Sequence, residues 1–285
     1  MSAIKNVLAI VNDTSGGRAA LESALRLAKN YHCHVDALHV RPDPVAGLPL
    51  VGEAMSGAVV DEMMEIAERA ASARSKDTRA MYDKVIAGAG LEDTGGVNWL
   101  EETGIEEQLV ALKSCRADLT LLARPTPDNE TSGLMTLNAA LMQSGRPVMA
   151  TPPRPKEGDM PGGPFKRIAV FWNGSTEASR AVAAARPFFA QADEVVVLRV
   201  EEEEWFAPTE DLEAYLAHHD VKAVVSKVLP RESRTGRALM TATTEVGADL
   251  MVMGAYTRSK LRQLILGSVT GYVMHEATLP VLMCH

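Results

Sequence analysis

The sequence predicts an α/β protein with two repeated domains, each a five-stranded open parallel sheet with helices on both faces. Two observations predict this fold. The two halves of the 285-residue chain resemble each other, and in each half short apolar runs alternate with longer helical patterns. Runs rich in Val, Ile and Leu, separated by helices, are typical of parallel strands that are buried on both faces.

The repeat is visible in three aligned pairs of segments. IKNVLAIVNDTSGGRAAL (residues 4–21) matches FKRIAVFWNGSTEASRAV (165–182), ADLTLLARP (117–125) matches ADLMVMGAY (248–256), and RPVMATP (146–152) matches LPVLMCH (279–285). The segment between the halves is rich in Pro and Gly, which continue neither helix nor sheet. We therefore expect a first domain at 1–152, a linker at 153–164 and a second domain at 165–285.

Each element follows from these patterns. In the first half, strands are expected near 5–11, 34–40, 95–101, 118–123 and 147–150, with helices at 15–30, 53–76, 105–115 and 133–144. In the second half, strands are expected near 167–172, 194–200, 222–228, 249–254 and 280–284, and a short helix at 211–220 replaces the long second helix. The terminal strand PVLMCH is expected to pair with PVMATP or with another chain, because exposed strand edges seek partners.

Composition narrows the functional classes. The net charge of −8 and the pI of about 5.5 disfavour broad binding to nucleic acid or to an anionic membrane. The three cysteines have no paired spacing, which argues against disulfides and zinc, and no segment reaches the length of a membrane span. We therefore expect a cytoplasmic protein in which any phosphate site is local.

The best candidate for such a site is GAYTRSKLRQLILGS, residues 254–268. Gly254 directly follows an apolar strand, where a glycine lets backbone amides approach a phosphate, and Ser268 is a candidate N-cap of the next helix. Helix N-termini attract anions, and three cations lie between the glycines. The alternative interpretation is that both glycines merely shape a strand-to-helix connection and the cations form a solvated surface.

The same stretch carries a family resemblance. Gly254, Thr257, Gly267 and Ser268 reproduce the spacing Gly-x2-Gly-x9-Gly-Ser/Thr, with Thr257 in place of the second glycine. With FWNGSTEASRAV and LRQLILGSVTGYVMHEATLPVLM, the whole chain resembles tandem universal stress proteins, which implies an adenine nucleotide alpha hydrolase-like fold. The resemblance implies an adenine nucleotide, ATP or AMP, with or without Mg²⁺, at residues that all lie in the second half: Asn173, Val200, Gly254, Thr257, Arg258, Gly267, Ser268 and Val269.

The resemblance also implies a role for each of these residues. Gly254, Gly267 and Ser268 would contact ribose and phosphates, and Val269 would add a backbone amide. Apart from the resemblance, the charges of Arg258, Lys260 and Arg262 suit a triphosphate. Val200 would lie near the base, and Asn173 stands where the nucleotide-binding members usually have an aspartate that hydrogen-bonds adenine. Asparagine both donates and accepts, so base specificity is open to change. If the second glycine position requires positive φ, a threonine at position 257 is strained there. If that position does not require positive φ, the Thr257 hydroxyl can donate a hydrogen bond to a phosphate.

The first half departs from this pattern. Ala123 stands in place of Gly254, no Gly-Ser pair opens the next helix, and Asp128 and Glu130 replace cations. We expect this half to have a structural role and to pack against the second half as an intramolecular pseudo-dimer. Binding of a different ligand in the first half and association of two chains into a homodimer are left open as alternatives.

Rival motifs predict little chemistry. SGG at 15–17 resembles the phosphate loop of ATP-using synthetases but lacks the Asp-Ser pair that normally follows, and YHCH at 31–34 has no second cluster that would complete a metal site. No catalytic set is recognisable by spacing, so any ATP hydrolysis is expected to be slow. Two functions remain: a stress regulator that binds an adenine nucleotide in its second domain with or without Mg²⁺, and a universal stress protein that binds no nucleotide and acts through protein association.

Overall fold

The structure is a computed structural model that describes residues 4–45, 57–90, 95–153, 163–200, 209–221, 224–229, 235–256 and 268–285. In the first half the elements are β1 (Asn6–Ile10), α1 (Ser15–Tyr31), β2 (His34–Pro42), α2 (Gly57–Ala87), β3 (Val97–Gly104), α3 (Glu106–Ser114), β4 (Leu119–Ala123), α4 (Glu130–Gln143) and β5 (Val148–Thr151). In the second half they are β6 (Arg167–Phe171), α5 (Thr176–Phe189), β7 (Glu194–Val200), α6 (Thr209–Ala217), β8 (Val224–Leu229), α7 (Thr235–Glu245), β9 (Leu250–Gly254), α8 (Ser268–Glu276) and β10 (Val281–Cys284).

All ten strands form one sheet in the order β3-β2-β1-β4-β5-β10-β9-β6-β7-β8. Strand pairing within each half is parallel, and the two halves have the same internal order. The predicted α/β architecture with two repeated, open parallel sheets is confirmed.

The strands are continuously apolar because both faces of the sheet are covered. Along β1, Val7 and Ala9 pack into one hydrophobic cluster, whereas Leu8 and Ile10 pack into a second cluster on the opposite face. Alternate residues of a strand point to opposite faces, so a strand between two layers of helices needs an apolar residue at nearly every position.

The two halves meet through their last strands. β5 and β10 pair in antiparallel register, with Val281 opposite Ala150 and Met283 opposite Val148. This is the first of the two pairings expected for the terminal strand, and it makes the sheet continuous across the halves. The ring of Tyr31 at the end of α1 also lies edge-on to Phe188 of α5, with 5.4 Å between ring centroids.

Helix α2 is longer than the sequence patterns predicted. It continues to Ala87, beyond the expected end at residue 76, because Ser75, Thr78 and Tyr82 extend a buried face along it. Tyr82 packs against Trp99 of β3, with 5.0 Å between their ring centroids. The beginning of the helix lacks such packing, since its buried residues start only at Ala71. The predicted start at residue 53 lies outside the described residues.

Candidate functional site

The candidate site lies at the carboxyl edge of the second half, the edge where the parallel strands end. β6 pairs with both β7 and β9, placing Phe171 opposite Leu198 on one side and Met253 on the other. Asn173, Val200 and Gly254 follow these paired positions within two residues, so the sheet brings all three to one edge. Open parallel sheets bind their ligands at this edge, where the direction of strand order changes.

Asn173 forms part of the turn that leads into α5. Its Oδ1 accepts a hydrogen bond from the backbone N–H of Ser175 at 3.1 Å. Ser175 Oγ in turn accepts one from the N–H of Ala178 at 3.1 Å, so Ser175 is the N-cap of α5. One lone pair of Asn173 Oδ1 is thus engaged by the Ser175 N–H, and the Nδ2 group remains able to donate to a ligand.

Gly254 faces the first turn of α5 at very close range. A Cβ at this position would lie 2.5 Å from the backbone N of Ala178 and 2.8 Å from the backbone C of Glu177. Packing between strand and helix therefore requires a glycine here, whatever the following loop binds. Gly254 is compatible with a phosphate site, but its presence is not by itself evidence for one.

In the equivalent contact of the first half, the glycine lies on the helix and the larger residue lies on the strand. Ala123 ends β4 as Gly254 ends β9, and Gly16 of α1 stands where Glu177 stands in α5. A Cβ on Gly16 would lie 2.7 Å from the Cβ of Ala123. One glycine at the crossing of helix and strand is thus present in each half, on the helix in the first and on the strand in the second.

Two further described residues of the predicted site, Ser268 and Val269, lie at the start of α8. Ser268 is the first residue of this nine-residue helix. Val269 packs against the hydrophobic cluster, and Val200 at the end of β7 is buried in the same cluster. The backbone N–H of Val269 is among the first of α8, and the first N–H groups of a helix have no acceptor within that helix. Thr257, Arg258 and Gly267 lie outside the described residues.

The corresponding edge of the first half has different contents. Residues 124–129 connect β4 to α4, and within them the N–H and Oγ1 of Thr126 each donate to Asn129 Oδ1 at 2.8 Å. Glu130 opens α4 and lies 3.4 Å from His275 Nε2 of the other half. A carboxylate at this helix N-terminus occupies the position that would otherwise favour a phosphate.

Tyr256 belongs to this region and was not found from the sequence. It lies just before the candidate loop with φ +62°, which is uncommon for a residue with a side chain. Its hydroxyl donates to Asn138 Oδ1 on α4 of the first half, and burial raises its pKa to about 12. No sequence signal pointed to this contact because the two residues lie far apart in the chain.

The described residues contain no group of three or more His, Cys, Asp or Glu side chains suited to a metal ion. Among the described helices, none is long and apolar enough to cross a membrane.

Comparison with protein families decides the family. The model of the universal stress protein family matches residues 3–119 and again residues 164–285. The chain belongs to the universal stress protein family. Its two matches agree with the two repeated halves, and this universal stress protein therefore carries the family's fold twice in one chain. No curated protein matches it.

Solved structures share the fold over nearly the whole chain. A universal stress protein from Archaeoglobus fulgidus is 18% identical with a TM-score of 0.64, over 98% of this chain and 95% of that one. A protein from Pseudomonas aeruginosa, described as a putative universal stress protein, is 14% identical with a TM-score of 0.54, over 98% and 92%. The cytoplasmic domain of a prokaryotic cation chloride cotransporter is 12% identical with a TM-score of 0.52, over 98% and 94%. At these identities the likeness concerns the fold alone.

Proposed function

We propose that this universal stress protein is a stress-response regulator that binds an adenine nucleotide, ATP or AMP with or without Mg²⁺, in its second domain. The observation that carries the proposal is the connection between β9 and α8. It keeps the spacing of Gly254, Thr257, Gly267 and Ser268, whereas the first half joins the equivalent elements through residues 124–129 alone. The connection in the second half, residues 255–267, is therefore longer than its equivalent in the first half and provides more chain with which to surround a polyphosphate.

The proposed binding mode uses groups at the carboxyl edge. The free N–H groups at the start of α8, including that of Val269, would receive phosphate oxygens, since they combine open donors with the positive end of the helix dipole. Arg258 would balance phosphate charge. Asn173 would meet the base through Nδ2, with Val200 beside it, and Mg²⁺ would be held by the phosphates, as is common for this ion.

A second function has its own supporting observations. The oxygen of Asn173 is engaged by Ser175, and Gly254 is required by the contact with Ala178. Both residues thus have structural roles that persist without any nucleotide. On this alternative, the protein acts through protein–protein association and its loop is retained as a scaffold.

Calorimetric titration of the full chain with Mg-ATP and with AMP distinguishes the two functions. We expect saturable binding at a single site, and Gly267→Asp is expected to abolish it because a carboxylate would face the phosphates. Gly57→Asp is the matched control, since it adds the same charge at the start of α2, where a Cβ meets no atom within 4 Å. A folded wild-type chain that gives no heat signal and no shift in melting temperature with millimolar nucleotide would refute nucleotide binding.

Asn173→Asp tests the contact with the base. One carboxylate oxygen would keep the bond to Ser175, and the other would accept from the 6-amino group of adenine, where asparagine presents a donor. We expect ATP to bind about tenfold more tightly, since a hydrogen bond to a charged group contributes about 1.5–3 kcal/mol. Asn12→Asp is the control, because Asn12 Oδ1 accepts from Thr14 N–H at 3.2 Å in the same turn of the first half. Equal changes in both variants would exclude a contact between Asn173 and the base.

We further propose that the two domains act as an intramolecular pseudo-dimer joined at β5 and β10. Association of two chains into a homodimer would then need another surface, such as the sheet edges at β3 and β8. Solution mass measured by light scattering tests this: a monomer fits the pseudo-dimer alone, and a dimer would show that a second surface is in use.

A further inference from the structure

Helix α2 has an outer face that points away from the sheet. Its buried residues are Ala71, Ser75, Thr78 and Tyr82, and Tyr82 packs against Trp99 of β3. A residue such as Ala73 lies two positions from both Ala71 and Ser75, which is about 200° around the helix axis in either direction. Residues in line with Ala73 therefore lie opposite the side that packs against the sheet.

This outer face is apolar over the first half of the helix. Five apolar residues follow one another at intervals of four and three residues, and so share the face: Val59, Met63, Ile66, Ala70 and Ala73. The exposed fraction is 42% for Val59 and 60% for Ile66. A surface helix normally has charged and polar residues on its outer face, whereas an apolar seam with this spacing is typical of paired helices.

The first part of α2 has no buried residue. Residues 57–70 are all exposed or partly exposed, although they make up about 20 Å of helix. An ion pair between Glu68 and Arg41 of β2 connects this part to the sheet. Helices in proteins are stabilised mainly by the packing of an apolar face. A second helix on the outer face would supply packing that the core of this chain does not give to residues 57–70.

Charge is distributed unevenly along α2. Residues 57–68 contain four acidic side chains and no basic one, whereas residues 69–87 contain five basic and two acidic side chains. Two parallel copies of this helix would place acid against acid. Two antiparallel copies would place the acidic part of each against the basic part of the other, and such flanking charges set the orientation of helix pairs.

Side-chain size favours the same orientation. An antiparallel pair with its two-fold axis close to residue 68 would place Ile66 against Ala70 of the second copy, and Met63 against Ala73. Large residues facing small ones fill the space between two helices without voids. Arg69 would approach its own copy at the axis, where its ion pair with Glu65, at 2.8 Å, offsets the repulsion.

We propose that the outer face of α2, formed by Val59, Met63, Ile66, Ala70 and Ala73, is a docking surface for a second copy of this chain, with the two α2 helices antiparallel. In this arrangement Glu62 of each chain lies beside Lys76 of the other. Both side chains are exposed, and no ion pair among the described residues involves either of them. The surface is separate from the sheet edges at β3 and β8, and the inference does not rest on nucleotide binding.

Sedimentation velocity of the full chain across the micromolar range tests the proposal. We expect a concentration-dependent equilibrium between monomer and dimer. Ile66→Asp should weaken the dimer at least about tenfold, because it places a charge where a large apolar side chain is buried in the contact. Leu112→Asp is the matched control, since Leu112 is 58% exposed but lies on α3, which covers the opposite face of the sheet. Circular dichroism verifies that both variants are folded.

Charge reversal tests the antiparallel orientation. Glu62→Lys and Lys76→Glu each bring like charges together at two places in the dimer, and each should weaken it about fivefold. An equimolar mixture of the two variants should dimerise as the wild type does, because position 62 of each chain again faces the opposite charge at position 76 of the other. The two positions are about 20 Å apart along one helix, so this recovery cannot arise within a chain.

The proposal is overturned if the chain stays monomeric throughout the micromolar range or if Ile66→Asp dimerises as tightly as the wild type. It is also overturned if the mixture of charge variants associates as weakly as each variant alone. Gly267→Asp, which is expected to abolish nucleotide binding, should leave the dimer intact, so failure of this proposal is distinguishable from failure of the proposed nucleotide site.

Discussion

The crossing of α1 and β4 gives a prediction with a magnitude that follows from one contact. In Gly16→Ala, the new methyl would lie 2.7 Å from the Cβ of Ala123. Carbon atoms in contact prefer about 3.5–4.0 Å, so helix and strand must separate by about 1 Å. Overpacking of this kind costs about 1–3 kcal/mol, and the better helix propensity of alanine returns at most about 1 kcal/mol. We expect a net loss of about 1–2 kcal/mol in the free energy of unfolding.

The second substitution is chosen to remove the clash. Ala123→Gly alone should cost about 1–2 kcal/mol, from at most about 0.8 kcal/mol for the lost, partly buried methyl and about 0.5–1 kcal/mol for a glycine within a strand. In the double variant, the glycine lies on the strand and the side chain lies on the helix. This is the arrangement of the second half, where Gly254 ends β9 and Glu177 lies in α5. The double variant should therefore be more stable than the sum of the single costs by about 1–3 kcal/mol.

Urea denaturation of the wild type, both single variants and the double variant, followed by circular dichroism, measures this coupling. The slopes of the transitions should agree, so that differences in midpoint report stability. Gly57→Ala is the control, because a Cβ there meets nothing within 4 Å. The reasoning is wrong if Gly16→Ala is as stable as Gly57→Ala, or if the single costs add within about 0.5 kcal/mol.

Two further predictions concern ionisable groups. Cys115 is exposed, whereas burial raises the pKa of Cys33 to about 11 and that of Cys284 to about 12. A thiol-specific disulfide reagent at neutral pH should therefore modify one thiol in the native chain and three in urea. Rapid modification of all three thiols in the native chain would contradict the described burial. Tyr256→Phe removes the hydroxyl that donates to Asn138 and should cost about 1 kcal/mol in urea denaturation. Because the folded pKa of Tyr256 is raised from 10.0 to about 12, the unfolded chain ionises first, and wild-type stability should fall as pH rises from 10 towards 12. Tyr256→Phe should show a smaller fall over that window, and identical pH profiles would contradict the burial of this hydroxyl.

Much of the carboxyl edge was predictable from the sequence. Asn173 and Gly254 were found because a turn after an apolar strand is visible as a local pattern. The structural role of Gly254 was not visible in the sequence, because this residue packs against the first turn of α5, which is far away in the chain. The end of α2 was misjudged for a related reason: Thr78 and Tyr82 belong to a buried face whose partner, Trp99, lies on another element.

The sequence by itself determined the two repeated halves, the alternation of strands and helices, and the edge at which a ligand is expected, because periodicity and turn residues report on each segment separately. Tertiary structure alone decided the order of the strands, which of its two expected partners β10 pairs with, and the steric need for glycine at Gly254. These features depend on distances between elements that are remote in the chain, and such distances are set only when the helices pack against the finished sheet.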